Sequence, residues 1–236
     1  MGKLENIHSY TASMFRGLRG FGVREYCREN PPRPDQLLEL YEFESCPFCR
    51  KAREAMSELD LAYISRTTPQ GDERKRRAVE ERGGKRQFPF LVDPNTGTEM
   101  YESEAIIDYL FEEYGPGRSA LRRAASPLNT LTAGLSSMVR PKGGRVRPGC
   151  EDRSQPDELL VVYNFEISPY CRKVRETLCS LNLDYEVRNV AKKSTRRPEL
   201  VERGGQMMVP YLIDPNTGTE MYESDDIVAY LEQTYG

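Results

Sequence analysis

The feature that most constrains this chain is an exact internal repeat. Asp93-Pro-Asn-Thr-Gly-Thr-Glu-Met-Tyr-Glu-Ser103 recurs unchanged from Asp214 to Ser224, an offset of 121. Upstream, Tyr41-Glu-Phe-Glu-Ser-Cys-Pro-Phe-Cys-Arg-Lys51 returns as Tyr163-Asn-Phe-Glu-Ile-Ser-Pro-Tyr-Cys-Arg-Lys173, an offset of 122. The one-residue difference therefore falls in the polar stretch between Arg66 and Val79. Glu81-Arg-Gly-Gly84 matches Glu202-Arg-Gly-Gly205, and Tyr114-Gly115 matches Tyr235-Gly236. A repeat this long means two copies of one folding unit. The chain divides into a lead segment (1–36), a first module (37–115), a connector (116–157) and a second module (158–236).

The repeat extends weakly into the leads. Ile7, Tyr10, Met14, Leu18 and Phe21 stand at helical spacing before the first module, as do Leu128, Leu131, Leu135 and Met138 before the second. Each module is thus expected to follow a short amphipathic helix. Arg16 and Arg19 are interleaved in the first of these. Its recurrence predicts packing against its own module rather than a membrane surface. The connector carries 8 basic and 3 acidic residues while the whole chain is at −3, so basic connectors complement acidic modules.

Within a module, alternating Leu38–Phe43 predicts a strand, and a helix follows with Ala52, Ala55, Met56 and Leu59 on one face. Leu61–Arg66 is a second strand, 72–82 a charged helix stopped by Gly83-Gly84, and Phe88–Val92 a third strand. Asp93–Gly97 has the residues of a tight turn, Thr98–Tyr101 returns, and Ser103 is expected to cap a last helix carrying Ile106, Ile107, Tyr109 and Leu110. The order is βαβαββα, an α/β fold.

This order resembles the thioredoxin superfamily, given a Cys-x-x-Cys between first strand and first helix and a proline opening the third strand. The Glu-Ser-x-x-Ile-x-x-Tyr-Leu ending is similar to the N-terminal domain of glutathione transferases, and Cys46-Pro-Phe-Cys49 resembles a glutaredoxin. The doubled arrangement resembles tandem glutaredoxin/transferase-N-terminal-like proteins with members in photosynthetic lineages. It implies two thioredoxin-like modules without the helical C-terminal domain of a full transferase.

The residues themselves specify a division of labour. Cys46 precedes a helix opening at Pro47, where unpaired N–H groups and the helix dipole favour a thiolate; Arg50 and Lys51 are expected to add positive charge. Cys46 should attack and Cys49, one turn on, should resolve. A zinc site would need two more ligands, and the chain has one histidine, His8, and no second Cys-x-x-Cys. No resident metal is expected; an iron–sulfur cluster bridging two chains through Cys46 and glutathione stays open. In the second module Ser168 replaces the attacking cysteine and only Cys171 remains, so that module cannot run a dithiol cycle. Cys179 is expected to be a small core residue.

The resemblance implies cis bonds at Phe88-Pro89 and Val209-Pro210, whose main chain would pair with the cysteinyl part of glutathione. It implies that Glu102-Ser103 and Glu223-Ser224 hold the γ-glutamyl end. It also implies that Ser168 could activate a glutathione thiolate.

Together these predict a glutathione-dependent thiol–disulfide oxidoreductase acting through module one, with glutathione as co-substrate. Its partners would be protein disulfides or glutathionylated proteins, and module two would bind glutathione or a partner. A non-catalytic interaction scaffold and conjugation through Ser168 are the alternatives. Six cysteines and no export signal point to a reducing compartment, the cytoplasm, or a plastid if the source is photosynthetic. No nucleic-acid signature is present, and oligomeric state is left open.

Overall fold

The computed structural model describes residues 20–118 and 144–236. Of the lead helices anticipated over 7–21 and 128–138, residues 7–19 and 128–138 lie outside the described residues, and Gly20 and Phe21, which are described, are not helical. What the structure does show of the first lead is a short helix, α1 (Glu25–Glu29), whose Cys27 is buried.

Module one runs β1 (Leu38–Glu42), α2 (Pro47–Glu58), β2 (Ala62–Thr67), α3 (Glu73–Gly83), β3 (Phe90–Asp93), β4 (Thr98–Met100), α4 (Ser103–Tyr114). Module two repeats it as β5 (Leu160–Asn164), α5 (Pro169–Ser180), β6 (Tyr185–Asn189), α6 (Arg197–Gly204), β7 (Tyr211–Asp214), β8 (Thr219–Met221), α7 (Ser224–Tyr235). Both are βαβαββα. The helix after the second strand has 11 residues in module one and 8 in module two, which is where the offset between the copies changes.

The strands form one eight-stranded sheet in the order β4-β3-β1-β2-β6-β5-β7-β8. Each module alone would leave its second strand as an open edge, and here the two edges pair antiparallel. Ile64 lies opposite Glu186, and these are the same position in the two copies, since 64 plus the offset of 122 is 186. The pairing is therefore two-fold about an axis through that pair and normal to the sheet. Such an axis puts α2 and α5 on the same face, and the apolar core beneath them is continuous. Leu38, Leu40, Met56, Leu59 and Tyr63 share it with Leu160, Val162, Val174, Leu178 and Val187. On the opposite face each module has its own small cluster, around Val79 on α3 and Leu200 on α6.

The leads also cross the seam. Phe21 and Val23 exchange backbone hydrogen bonds with Lys192 (2.9 and 3.0 Å), and Phe21 sits 5.9 Å from Phe165 of module two. Reciprocally, Val146 donates to Gln70 at 2.9 Å and Gln70 to Gly144 at 2.8 Å. Phe21, expected to pack on its own module, thus touches the other one. The charged connector complements its neighbours as expected where it is described: Arg118 pairs with Glu104 and Asp108, and Arg147 with Glu232.

The repeated Asp-Pro-Asn-Thr-Gly turn owes its recurrence to a buried carboxylate. Asp93 accepts from the hydroxyls of Tyr109 (2.6 Å) and Tyr114 (2.5 Å) and from Asn95 N (2.9 Å) and Nδ2 (2.8 Å). Asp214 repeats this with Tyr230, Tyr235 and Asn216. The Gly-Gly pair is equally local in cause. Gly84 ends α3 at φ +78°, and a Cβ on Gly83 would collide with the Tyr101 hydroxyl.

Burial raises the Asp93 and Asp214 carboxyls, but the tyrosine and Asn hydrogen bonds outweigh it, so both titrate below the ordinary value. A depressed carboxyl stabilises the fold above its unfolded pKa of about 3.9 and loses that contribution as pH falls through its lower folded pKa. Asp93→Asn and Asp214→Asn should each cost about 2 kcal/mol at pH 7, from the charged hydrogen bonds lost. Urea titrations at pH 7 and pH 3 should show a smaller acid-induced loss in the double variant than in wild type.

Candidate active site

β1 delivers the chain to Cys46, which takes an extended conformation (φ −72°, ψ 119°) as the N-cap of α2. Pro47 follows at the first helical position, where its missing N–H costs nothing. The Cys49 N–H donates to Cys46 Sγ at 3.2 Å. The Cys46 thiol is held below its ordinary pKa, first by a hydrogen bond from the Cys49 thiol. Burial opposes this; the N–H groups of Cys49 and Phe48 and the charge of Arg53 add to it. Cys49 is driven the other way, by its own burial and then by its bond to Cys46. The two thiols are thus shifted in opposite directions, Cys46 down and Cys49 up.

The positive charge at Cys46 has a different source from the one the sequence suggests. Arg50 is paired with Glu54 at 2.9 Å and Lys51 with Glu104 at 2.6 Å. Arg53, one turn further along α2 and itself paired with Glu42, Glu44 and Glu166, adds only a smaller pull after the hydrogen bonds to the sulfur.

Phe88-Pro89 and Val209-Pro210 are both cis. The Phe88 carbonyl lies 4.0 Å from Cys46 Sγ, so the loop and the thiol face each other. Arg76 of α3 lies 4.6 Å over the Phe88 ring and 5.6 Å over Phe43, and donates to the Thr68 carbonyl at 2.8 Å. At the last helix the expected cap is displaced by one residue. Glu102 and Glu223 occupy the cap positions, with no side-chain capping bond, and Ser103 and Ser224 are the first helical residues. The glutamates hold φ of +68° and +66°, a left-handed conformation rare outside glycine. Both serines are buried.

In module two Ser168 occupies the cap of α5 and accepts from Cys171 N at 3.3 Å, as Cys46 does from Cys49 N. Cys171 is fully buried and its thiol is pushed up by that burial. Beside it Tyr170, Met208, Val209, Pro210, Glu223 and Ser224 line a cleft of about 270 Å³. In module one the position of Met208 is Gln87, whose Nε2 donates to Glu102 at 2.7 Å. Of the predicted residues of the second module, Val209, Pro210, Glu223 and Ser224 line this cleft, while Ser168 and Cys171 are not part of its lining.

Sequence reasoning missed Arg53, Arg76, Gln87, Tyr170 and Met208. Arg53 and Arg76 are hidden inside charged helical runs, where nothing separates a solvated arginine from a buried one. Exposed aromatics at matching positions, Phe48 and Tyr170, carry the only available signal for the rim.

The fold and these sites define a tandem thioredoxin-like protein with one dithiol site and one serine-substituted site. The family model described as the glutathione S-transferase N-terminal domain matches residues 40–119 and 162–236. The chain belongs to that family, twice over. Comparisons with curated proteins and with solved structures find no match. Among the described residues no helix is long and apolar enough to cross a membrane.

All six cysteines are free and buried, and burial lifts Cys27 to about 11 and Cys179 to about 12. At pH 7 iodoacetamide should therefore modify Cys46 first, with Cys27, Cys49, Cys171 and Cys179 reacting only after unfolding. Peptide mass mapping over a time course checks the order.

Proposed function

We propose that the protein is a glutathione-dependent thiol–disulfide oxidoreductase working through Cys46, with module two as a glutathione- or partner-binding module. The observation that carries this is the opposite tuning of two thiols one helical turn apart. Cys46 caps a helix N-terminus and accepts a Cys49 N–H bond; Cys49 is wholly buried.

In the reaction the Cys46 thiolate attacks the glutathionyl sulfur of a mixed disulfide. A Cys46–glutathione disulfide forms, and the substrate sulfur leaves as a thiolate that takes a proton from solvent. A second glutathione, as thiolate, attacks the bound glutathionyl sulfur; oxidised glutathione departs and the Cys46 thiolate returns. Cys49 could displace glutathione instead, closing a Cys46–Cys49 disulfide, but its burial and raised pKa disfavour the required thiolate. External glutathione is the better resolving thiol.

The Phe88-Pro89 backbone and the N-terminus of α4, with Ser103 and Glu102, are the groups that would orient glutathione. Free N–H groups suit its carboxylate and the Glu102 carboxylate suits its ammonium. Module two keeps the matching Val209, Pro210, Glu223 and Ser224 around an open cleft but has serine in place of Cys46, and burial pushes its remaining thiol, Cys171, up, which supports binding without exchange.

Glutathione-coupled reduction of a small mixed disulfide tests the reading. Cys46→Ser should fall to the uncatalysed background. Cys49→Ser should keep turnover within about threefold, because the buried thiol is not required. Turnover that survives Cys46→Ser, or that is lost in Ser168→Ala, would overturn the assignment to module one.

A further inference from the structure

Between the two modules lies a closed ring of charges that neither module could make alone. Glu44, two residues before Cys46, is gripped by Arg175 of module two through both prongs: Nε to Oε2 and Nη2 to Oε1, each 3.0 Å. Glu166, two residues before Ser168, accepts from Arg53 Nε of module one at 3.2 and 3.3 Å. The ring closes through Arg53 Nη2 to Glu44 at 3.2 Å and Arg175 Nη1 to Glu166 at 3.5 Å. Each arginine is also tied to the last residue of its own first strand. Arg53 Nη1 donates to Glu42 at 2.6 Å and Arg175 Nη1 to Asn164 at 2.6 Å. The side chains are nearly out of contact with solvent: 2% and 1% exposed for Arg53 and Arg175, 6% and 1% for Glu44 and Glu166.

We propose that Arg175 and Glu166 of the second module are positioning residues for the thiol of the first. Arg175 fixes Glu44 in the loop that presents Cys46, and Glu166 orients Arg53, which also reaches Glu44. The degenerate module is then a structural part of the reactive one. A two-pronged arginine–carboxylate contact fixes direction as well as charge, so the Cys46 loop is held by a residue from across the seam. In so dry a site, an unmatched charge on Glu44 would act strongly on the nearby sulfur. The inference rests on the reading that Cys46 is the attacking thiol.

The test is the pH dependence of Cys46 alkylation by iodoacetamide in the full chain, read by peptide mass mapping. Arg175→Gln removes one of the two arginines on Glu44 and leaves the ring one positive charge short; it should raise the apparent Cys46 pKa by about half to one unit, slowing alkylation at pH 6 about three- to tenfold. Glu44→Gln leaves Arg175 with Glu166 alone and the ring one negative charge short, and should shift the profile the opposite way. Opposite signs separate charge placement from simple loosening, which would move both variants in one direction. Arg175→Lys, which keeps the charge and loses the fork, should lie between wild type and Arg175→Gln and serves if the glutamine variant does not fold. Arg203→Gln, an exposed charge change in module two, should reproduce the wild-type profile.

Profiles of folded Arg175 variants that superpose on wild type, or shifts of the same sign for Arg175→Gln and Glu44→Gln, would overturn the proposal. Failure of the underlying reading looks different. The wild type would then show no glutathione-coupled turnover, while the Cys46 profile still responded to Arg175.

Discussion

The seam between β2 and β6 is the constraint on which the rest of this structure depends. A module of this order has two strand edges, its second and fourth strands, and this chain covers the second-strand edge of each copy with the other's. Once the edges pair two-fold, the helices bearing Cys46 and Ser168 share a face, and their arginines meet the partner loops' glutamates. Removing one member of such a dry ion pair commonly costs about 3–5 kcal/mol, whereas forming it gains little over an apolar contact. The ring is thus better understood as a device for register than as a source of stability. A slip of one residue along the seam would misplace its two cross-seam contacts, Arg175–Glu44 and Arg53–Glu166.

The same symmetry makes the departures from it informative. Cys46 faces Ser168 across the repeat, Gln87 faces Met208, and Glu42 faces Asn164. Serine removes the exchange chemistry from module two. Methionine in place of glutamine leaves Glu223 without the hydrogen bond that Glu102 receives, beside an open cleft. The Glu42 carboxyl is raised by burial against the pull of Arg53, while Asn164 serves Arg175 as a neutral acceptor. The copies have kept the frame and divided the work.

Most of the frame is legible in the sequence because it is built from local rules. Alternation marks β1, a 3.6-residue stripe marks α2, and Gly84 marks the end of α3. Of the functional positions, those with special backbone chemistry are legible: Cys46 before Pro47, and the prolines at 89 and 210. Three things are not. The Ser103 cap is misplaced by one residue because a left-handed glutamate is too uncommon to expect over a serine N-cap. The pairing of the modules is invisible, since two like strands carry no mark of which edge meets which. The buried roles of Arg53 and Arg175 are invisible for the same reason, as they exist only once the seam forms.

The central claim is that the two modules are one structural unit closed along β2 and β6. Native-state hydrogen exchange measures this most directly, comparing seam amides in Ala62–Ser65 and Tyr185–Arg188 with those of β1 and β5 inside each module. The account predicts that hydrogen-bonded seam amides exchange only by the same opening that exposes the module cores, with the same dependence on denaturant. Seam amides that exchange through a separate, lower-energy opening, while β1 and β5 stay protected, would show two independent modules in contact and contradict it.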